Sequence, residues 1–151
     1  MKRFDFQLQP LLHLSRQKER LIELKEKQLR ADIEQARQQQ TALAKRVMES
    51  ADRLGKTARS TTSVADFVTQ CDFERATINQ IAKLEDNVES LTSSLAETVQ
   101  ERLTQRQETQ SLETLRQNRW QTWRKDGVRA AQEQLIEQLV RPVELNSADE
   151  G

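Results

Sequence analysis

Between Leu54 and Val64 the chain reads GKTARSTTS, and on either side of it apolar residues recur at intervals of three, four and seven. Such intervals keep residues on one stripe of an α-helix, and a stripe sustained over several heptads is a coiled-coil seam. Before the break the stripe reads Ile22, Leu29, Ile33, Ala36, Leu43, Val47 and Leu54, with Glu26, Gln40 and Ser50 at its polar positions. After the break it reads Val64, Phe67, Cys71, Ile78, Ile81, Leu84, Val88, Leu91, Leu95 and Val99, with a local slip from Ile81 to Leu84. The 151 residues include only three Gly and two Pro, so turns are scarce and elements must be long. Gly55 and the Ser/Thr cluster punctuate the chain, and Ser63-Val64-Ala65-Asp66 has the form of a capping box. The spacing therefore predicts an all-α fold: a long antiparallel two-helix coiled-coil hairpin with unequal arms. Helix one is expected over about 10–54, a turn over 55–63 and helix two over about 64–140. One hairpin spans 1–141, Pro142 stops it, and 142–151 form a flexible tail.

Folding the chain at the break tests the two stripes against each other. If Leu54 meets Val64, then Val47 faces Cys71, Gln40 faces Ile78 and Ala36 faces Ile81. Continuing, Ile33 faces Leu84, Leu29 faces Val88 and Ile22 faces Leu95, so that paired numbers sum to 117 or 118. Leu43 fits worst, since Glu74 or Arg75 would lie opposite. Charge agrees with pairing in cis. Residues 1–59 carry 14 Lys/Arg and 8 Asp/Glu, a net +6, whereas residues 60–101 carry 2 and 8, a net −6. Opposite flanking charges favour these arms over each arm with its own copy. By this offset much of residues 114–140 projects beyond helix one. Helix two, at about 1.5 Å per residue, is on the order of 110 Å long.

Composition excludes several classes. With 35% hydrophobic and 32% charged residues, the chain can bury a narrow seam but not a thick core. Its net charge is zero, which gives no support to nucleic-acid binding. No apolar run approaches the ~20 residues of a spanning helix, so no direct membrane insertion is expected. No signal-peptide apolar region is expected at the N-terminus either. Cys71 is alone, which precludes an internal disulfide and suits a cytoplasmic protein.

Nothing in the sequence assembles a reaction centre. A two-helix hairpin offers no concave site. His13 is the single histidine and reads as a partly exposed helix residue, so neither a metal site nor a cofactor is expected. Cys71, on the seam, reads as a small packed hydrophobe. Gly55-Lys56-Thr57 resembles the end of a P-loop but lacks the preceding glycine and strand, and reads as turn. No enzymatic activity is expected.

The ends are more informative. Phe4, Phe6 and Leu8 alternate with polar residues ahead of Pro10, and Leu11, Leu12 and Leu14 follow. Pro10 disfavours helical geometry at Gln9, so this lead-in is either an extended arm laid along helix two or the first turns of helix one. An extended residue spans roughly 3.3 Å, enough to carry Phe4 towards Trp120. Trp120 and Trp123 lie three residues apart among Arg116, Arg119, Arg124 and Lys125. One reading packs a tryptophan beneath the Phe4–Leu14 segment. The other makes the pair a partner-binding surface, because Trp and Arg are favoured anchors. Gly127 locally weakens the helix here.

The opening Phe4-x-Phe6-x-Leu8-x-x-Leu11-Leu12-x-Leu14 resembles the start of flagellar FliJ proteins. A second match is LETLRQNR at Leu112 to Arg119, followed by a basic helix through QEQLIE at Gln132 to Glu137. Together with the hairpin between them, the resemblance spans nearly the whole chain. It implies a cytoplasmic stalk of the type III export apparatus, similar to the coiled coil of the rotary ATPase γ subunit. Such a stalk is peripherally associated with the inner face of the membrane through its partners. Those implied partners are a hexameric flagellar export ATPase, whose ring the terminal end enters, an export gate membrane protein, and export chaperones. The resemblance also implies a chain that is a monomer alone. Phe4, Phe6, Leu8, Leu11 and Leu12 would shape the base, and Arg116, Arg119, Trp120 and Trp123 would contact the ring. Phe67, Val68 and Phe73, near the turn, would serve the gate or chaperones. Two alternatives are a generic coiled-coil scaffold or tether and the equivalent stalk of a virulence type III secretion system.

Overall fold

The computed structural model describes residues 3–57 and 63–147, with side chains to residue 140. Two long helices account for nearly all of it: α1, Gln9–Thr57, and α2, Val64–Ser147. No strand occurs among the described residues. The fold is an all-α helical hairpin whose arms are unequal, 49 residues against 84. Residues 58–62 of the expected turn and 148–151 of the expected tail lie outside the described residues.

Two boundaries differ from the sequence expectation, and the start of α2 agrees with it. Gly55, Lys56 and Thr57 continue α1 rather than opening the turn. Glycine costs a helix only ~1 kcal/mol relative to alanine, and Leu54 still packs beside it. At the other end, α2 runs past Pro142 to Ser147. The φ that proline imposes is itself helical, and its missing amide costs the helix one bond rather than forbidding it to continue. At the start of α2, Ala65 N donates to Ser63 Oγ at 3.3 Å and Phe67 N donates to Ser63 O at 3.2 Å, so Ser63 caps the helix.

Two compact units build the fold. In the first, Arg20–Thr104, the two helices pair antiparallel. The α1 seam is the one read from sequence: Ile22, Glu26, Leu29, Ile33, Ala36, Gln40, Leu43, Val47, Ser50 and Leu54 are all buried or half-buried. The α2 seam is partly different. Ile81, Leu84, Val88, Leu91 and Leu95 belong to it, but its other members are polar: Gln70, Glu74, Thr77, Thr98 and Arg102. Cys71, Ile78 and Val99 each fall one position past a seam residue. Val64, Phe67 and Ile78 are 80%, 53% and 54% exposed. With Thr77 in place of Ile78, the steps alternate four and three throughout, and the slip at Ile81 disappears.

The pairing register differs too. Ser50 Oγ donates to Glu74 Oε1 at 3.2 Å, so facing residue numbers sum to 124. That is one heptad beyond the expected 117 or 118. A coiled-coil seam repeats every seven residues, so a seven-residue shift again sets apolar on apolar. At 124, Leu43 lies opposite Ile81 rather than Glu74, and Ile22 opposite Arg102.

A charged cluster sits in this seam. Arg102 Nε and an Arg30 terminal nitrogen each donate to a different oxygen of Glu26, both at 2.6 Å. Glu26 is 8% exposed, and Thr98, opposite it, is 1% exposed, its short side chain leaving room for the carboxylate. The hydroxyls of Thr77 and Thr98 donate to carbonyls four residues back, at 2.8 and 2.9 Å. Among the described residues no buried side-chain polar atom lacks a partner.

The second unit, Met1–Glu19 with Gln105–Gly151, pairs its helices in the same sense. Ser15 and Thr109 share a buried hydroxyl–hydroxyl bond of 2.9 Å, and Gln105 Nε2 donates to Ser15 Oγ at 2.8 Å. Leu12 is fully buried beside this layer. On the flank, Arg16 bonds Glu113 through two nitrogens, at 2.7 and 3.0 Å.

Removing the Glu26 carboxylate leaves Arg102 without its seam partner. Glu26→Ala is therefore expected to lower stability by about 2 kcal/mol. Arg30 is 61% exposed, and Arg30→Ala is expected to cost at most about 0.5 kcal/mol. Urea titrations followed by circular dichroism measure both; equal losses would show that the carboxylate is not a seam partner.

Candidate functional site

The N-terminal arm and α2 build the aromatic end of the second unit from a match of pitch. Two residues of extended chain advance about 6.6 Å, and four residues of helix advance about 6 Å. Phe4 and Phe6 therefore meet α2 one turn apart. The Phe4 and Trp123 ring centroids lie 5.8 Å apart with planes tilted by 55°. The Arg119 guanidinium lies 5.8 Å from the Phe6 centroid. Phe6 itself is only 4% exposed. The alternation in RFDFQL is that of an extended arm, and its sheet is replaced by one face of a helix.

The arm then turns into α1. Gln9 N donates to Phe6 O at 2.8 Å and Leu12 N to Leu8 O at 2.9 Å. Pro10 stands in the first turn, where a missing amide costs nothing because first-turn amides have no intrahelical acceptor. Leu8 is half-buried, Leu12 buried, and Leu11 48% exposed. Residues Arg3, Phe4, Asp5, Phe6, Gln9 and Arg116 line a shallow depression between arm and helix.

The two tryptophans are divided by their 60° separation round the helix. Trp123 is half-buried under Phe4. Trp120 is exposed, and the Arg124 guanidinium lies 5.6 Å from its ring centroid. Trp120, Arg124 and Val128 line a groove along α2 with Lys125 and Arg129 at its edges. Such a stack holds the guanidinium over the ring and keeps its remaining donors free for an acidic group. Beyond Gly127, every residue to Val140 is exposed, including Leu135 and Ile136 at 59% and Leu139 at 70%. These last three were not singled out from sequence. The signal was present in QLIEQLV, an apolar cluster beyond the reach of any α1 residue.

In the first unit, Phe67, Val68 and Phe73 are 53%, 52% and 49% exposed, so all three present apolar surface. His13 is exposed, and Gln17 Nε2 donates to its Nε2 at 3.1 Å. Among the described residues no group of three or more His, Cys, Asp or Glu is placed to hold a metal ion, and no helix is long and apolar enough to cross a membrane. What the arrangement offers is recognition: an aromatic–guanidinium face continuous with uncovered aliphatic residues. No protein-family model, curated protein or solved structure matches the chain.

Phe6→Ala empties a buried site and is expected to cost about 3 kcal/mol. Trp120→Ala removes an exposed ring and should cost well under 1 kcal/mol. With Trp120 replaced by Phe, Phe4→Ala should shift Trp123 emission to the red and increase its quenching by acrylamide. Unchanged emission would place Phe4 elsewhere.

Proposed function

We propose that the chain is a stalk of a flagellar type III export apparatus. Its aromatic, basic end engages a hexameric export ATPase ring, and the hairpin links that ring to the export gate and to export chaperones. It works as a binding element with no reaction of its own, in the cytoplasm, held at the inner face of the membrane by its partners. The observation that carries this reading is the face of α2 that runs from Trp120 through Arg124 and Val128 to Leu139 and is exposed at each of these residues. Trp120 and Arg124 stack there, and Val128, Leu135, Ile136 and Leu139 have no cover among the described residues. A helix end left apolar and basic in this way suits a socket formed by another protein.

Support also comes from the resemblance of the opening Phe4-x-Phe6-x-Leu8 and of LETLRQNR to flagellar FliJ proteins. The two motifs meet in space: Phe6 lies against Arg119 and Phe4 against Trp123. In this arrangement Phe6 and Leu12 brace the base, while Trp120, Arg116 and the exposed aliphatics meet the ring. Phe67, Val68 and Phe73 are the gate or chaperone candidates. The coarser alternative, a coiled-coil tether, is favoured by those same exposed residues near the turn.

Mixing the chain with the hexameric export ATPase of the same cell tests the reading. Binding should accelerate ATP turnover, and Trp120→Ala with Leu135→Asp should weaken binding at least about tenfold, a loss of ~1.4 kcal/mol. Both substitutions replace exposed residues and should leave helicity unchanged. Absence of binding by the intact chain would overturn the stalk reading in favour of a tether.

A further inference from the structure

The Arg20–Thr104 unit carries a second ordered stripe that its own seam does not use. Along α1, Thr41, Ala44, Met48, Ala51 and Gly55 step by three and four, and all are exposed. Along α2, Val64, Val68, Cys71, Arg75, Ile78 and Ala82 step by four and three, and all but the half-buried Cys71 are exposed. Each set lies about a quarter turn round its helix from the seam. Both face the same side of the hairpin. Lys25 and Glu101, each one position before a seam residue, pair at 3.8 Å across one flank. The opposite flank therefore brings Ala44 beside Ile78 and Ala51 beside Cys71. The result is a flat side on which Arg75 is the sole charge among the described residues. It is bounded away from the turn by Arg37 on α1 and Glu85 on α2.

We infer that this side pairs with a second copy of the chain, closing a four-helix arrangement around the turn-proximal part of the unit. The stripe's own shape argues for that occupant. The α2 half is a ridge, with Val68 and Ile78 exposed by 52% and 54%. The α1 half is a trough of Ala44, Ala51 and Gly55 interrupted by Met48, which is 71% exposed, and a Cβ placed on Gly55 would meet nothing within 4 Å. A two-fold axis parallel to the helices lays each ridge in the other copy's trough, and each contact is made twice. Large on small in both directions is the packing that such a layer requires. Keeping the hairpin's register, Ile78 enters between Ala44 and Met48 of the second copy, and Cys71 between Ala51 and Gly55.

Charge fits the same operation. Glu85 comes opposite Arg37 of the second copy, at the same offset as Ile78 opposite Ala44. With the two-fold axis perpendicular to the helices instead, α2 would lie on α2, ridge on ridge, and both troughs would be wasted. A face about five turns long is smaller than the roughly 1,600 Å² of a standard complex, so the pairing is weak and concentration-dependent. It uses none of the residues assigned to the ring but shares Val68 with the gate or chaperone candidates, and its weakness leaves the dilute chain a monomer, as the stalk reading expects.

Sedimentation equilibrium of the full chain, from micromolar to millimolar, tests it. A reversible monomer–dimer equilibrium is expected. Ile78→Glu on the ridge and Met48→Glu in the trough should each weaken it at least about tenfold while circular dichroism stays unchanged. Both residues are more than half exposed, and if one variant loses helicity the other decides. Glu85→Arg should weaken the dimer severalfold, and adding Arg37→Glu should restore it. A chain that stays monomeric throughout overturns the inference. So does a dimer indifferent to both Glu variants, or one sensitive to Ile78→Glu but not to Met48→Glu.

Discussion

The structure depends on which polar residues face one another across the seam. A heptad repeat cannot choose its own register, because sliding one helix by seven residues restores apolar against apolar. The polar layers remove that freedom. At the shorter register Glu26 would lie against Leu91 and Ser50 against Phe67, leaving a buried carboxylate and hydroxyl facing aliphatic and aromatic carbon. One heptad further, Glu26 meets Thr98 and gains Arg102, while Ser50 meets Glu74. Stranding a buried polar group costs about 1–3 kcal/mol, more than any single apolar layer distinguishes between the two registers. Ser15 with Thr109 makes the same choice in the other unit. These contacts add little net stability, and their consequence is specificity.

What was legible in the sequence follows from the same physics. The α1 seam is apolar enough that every position, including its polar members Glu26, Gln40 and Ser50, can be read by counting. The α2 seam near the turn cannot be read that way. Gln70, Glu74 and Thr77 occupy it, and the eye follows the apolar neighbours Cys71 and Ile78 onto the wrong face. Partner matching would have succeeded where hydropathy failed, since Ser50 and Glu26 each need a polar residue opposite. Gly55 and Pro142 mislead for a related reason: each weakens a helix locally without forbidding it, and the helix continues past both.

At the aromatic end, an arm whose reach brings Phe4 towards Trp120 was legible only as one of two readings of the lead-in, beside the first turns of helix one. Which tryptophan it covers was not. Trp120 and Trp123 differ by 60° round α2, and the choice depends on the register that Ser15 and Thr109 set in the same unit. The uncovered aliphatics at Leu135, Ile136 and Leu139 went unread because each looks like one more helical apolar residue until the end of α1 is located. That end leaves a basic, aromatic helix face without cover, which is the physical ground for proposing a ring-engaging stalk. The flat apolar side near the turn is separate in residues and in character. It has almost no charge, and its shape complements itself.

The register is tested most directly by cysteine pairing in dilute, monomeric protein. Ser50→Cys with Glu74→Cys, in a Cys71→Ser background, should form an intramolecular disulfide under mild oxidation, because these positions face one another across the seam. Val47→Cys with the native Cys71, which pairs only at the shorter register, should remain reduced under the same conditions. Closure requires Cα atoms within about 7 Å, a distance that a one-heptad error exceeds. Cross-linking of the Val47→Cys pair with a reduced Ser50→Cys/Glu74→Cys pair would contradict the account.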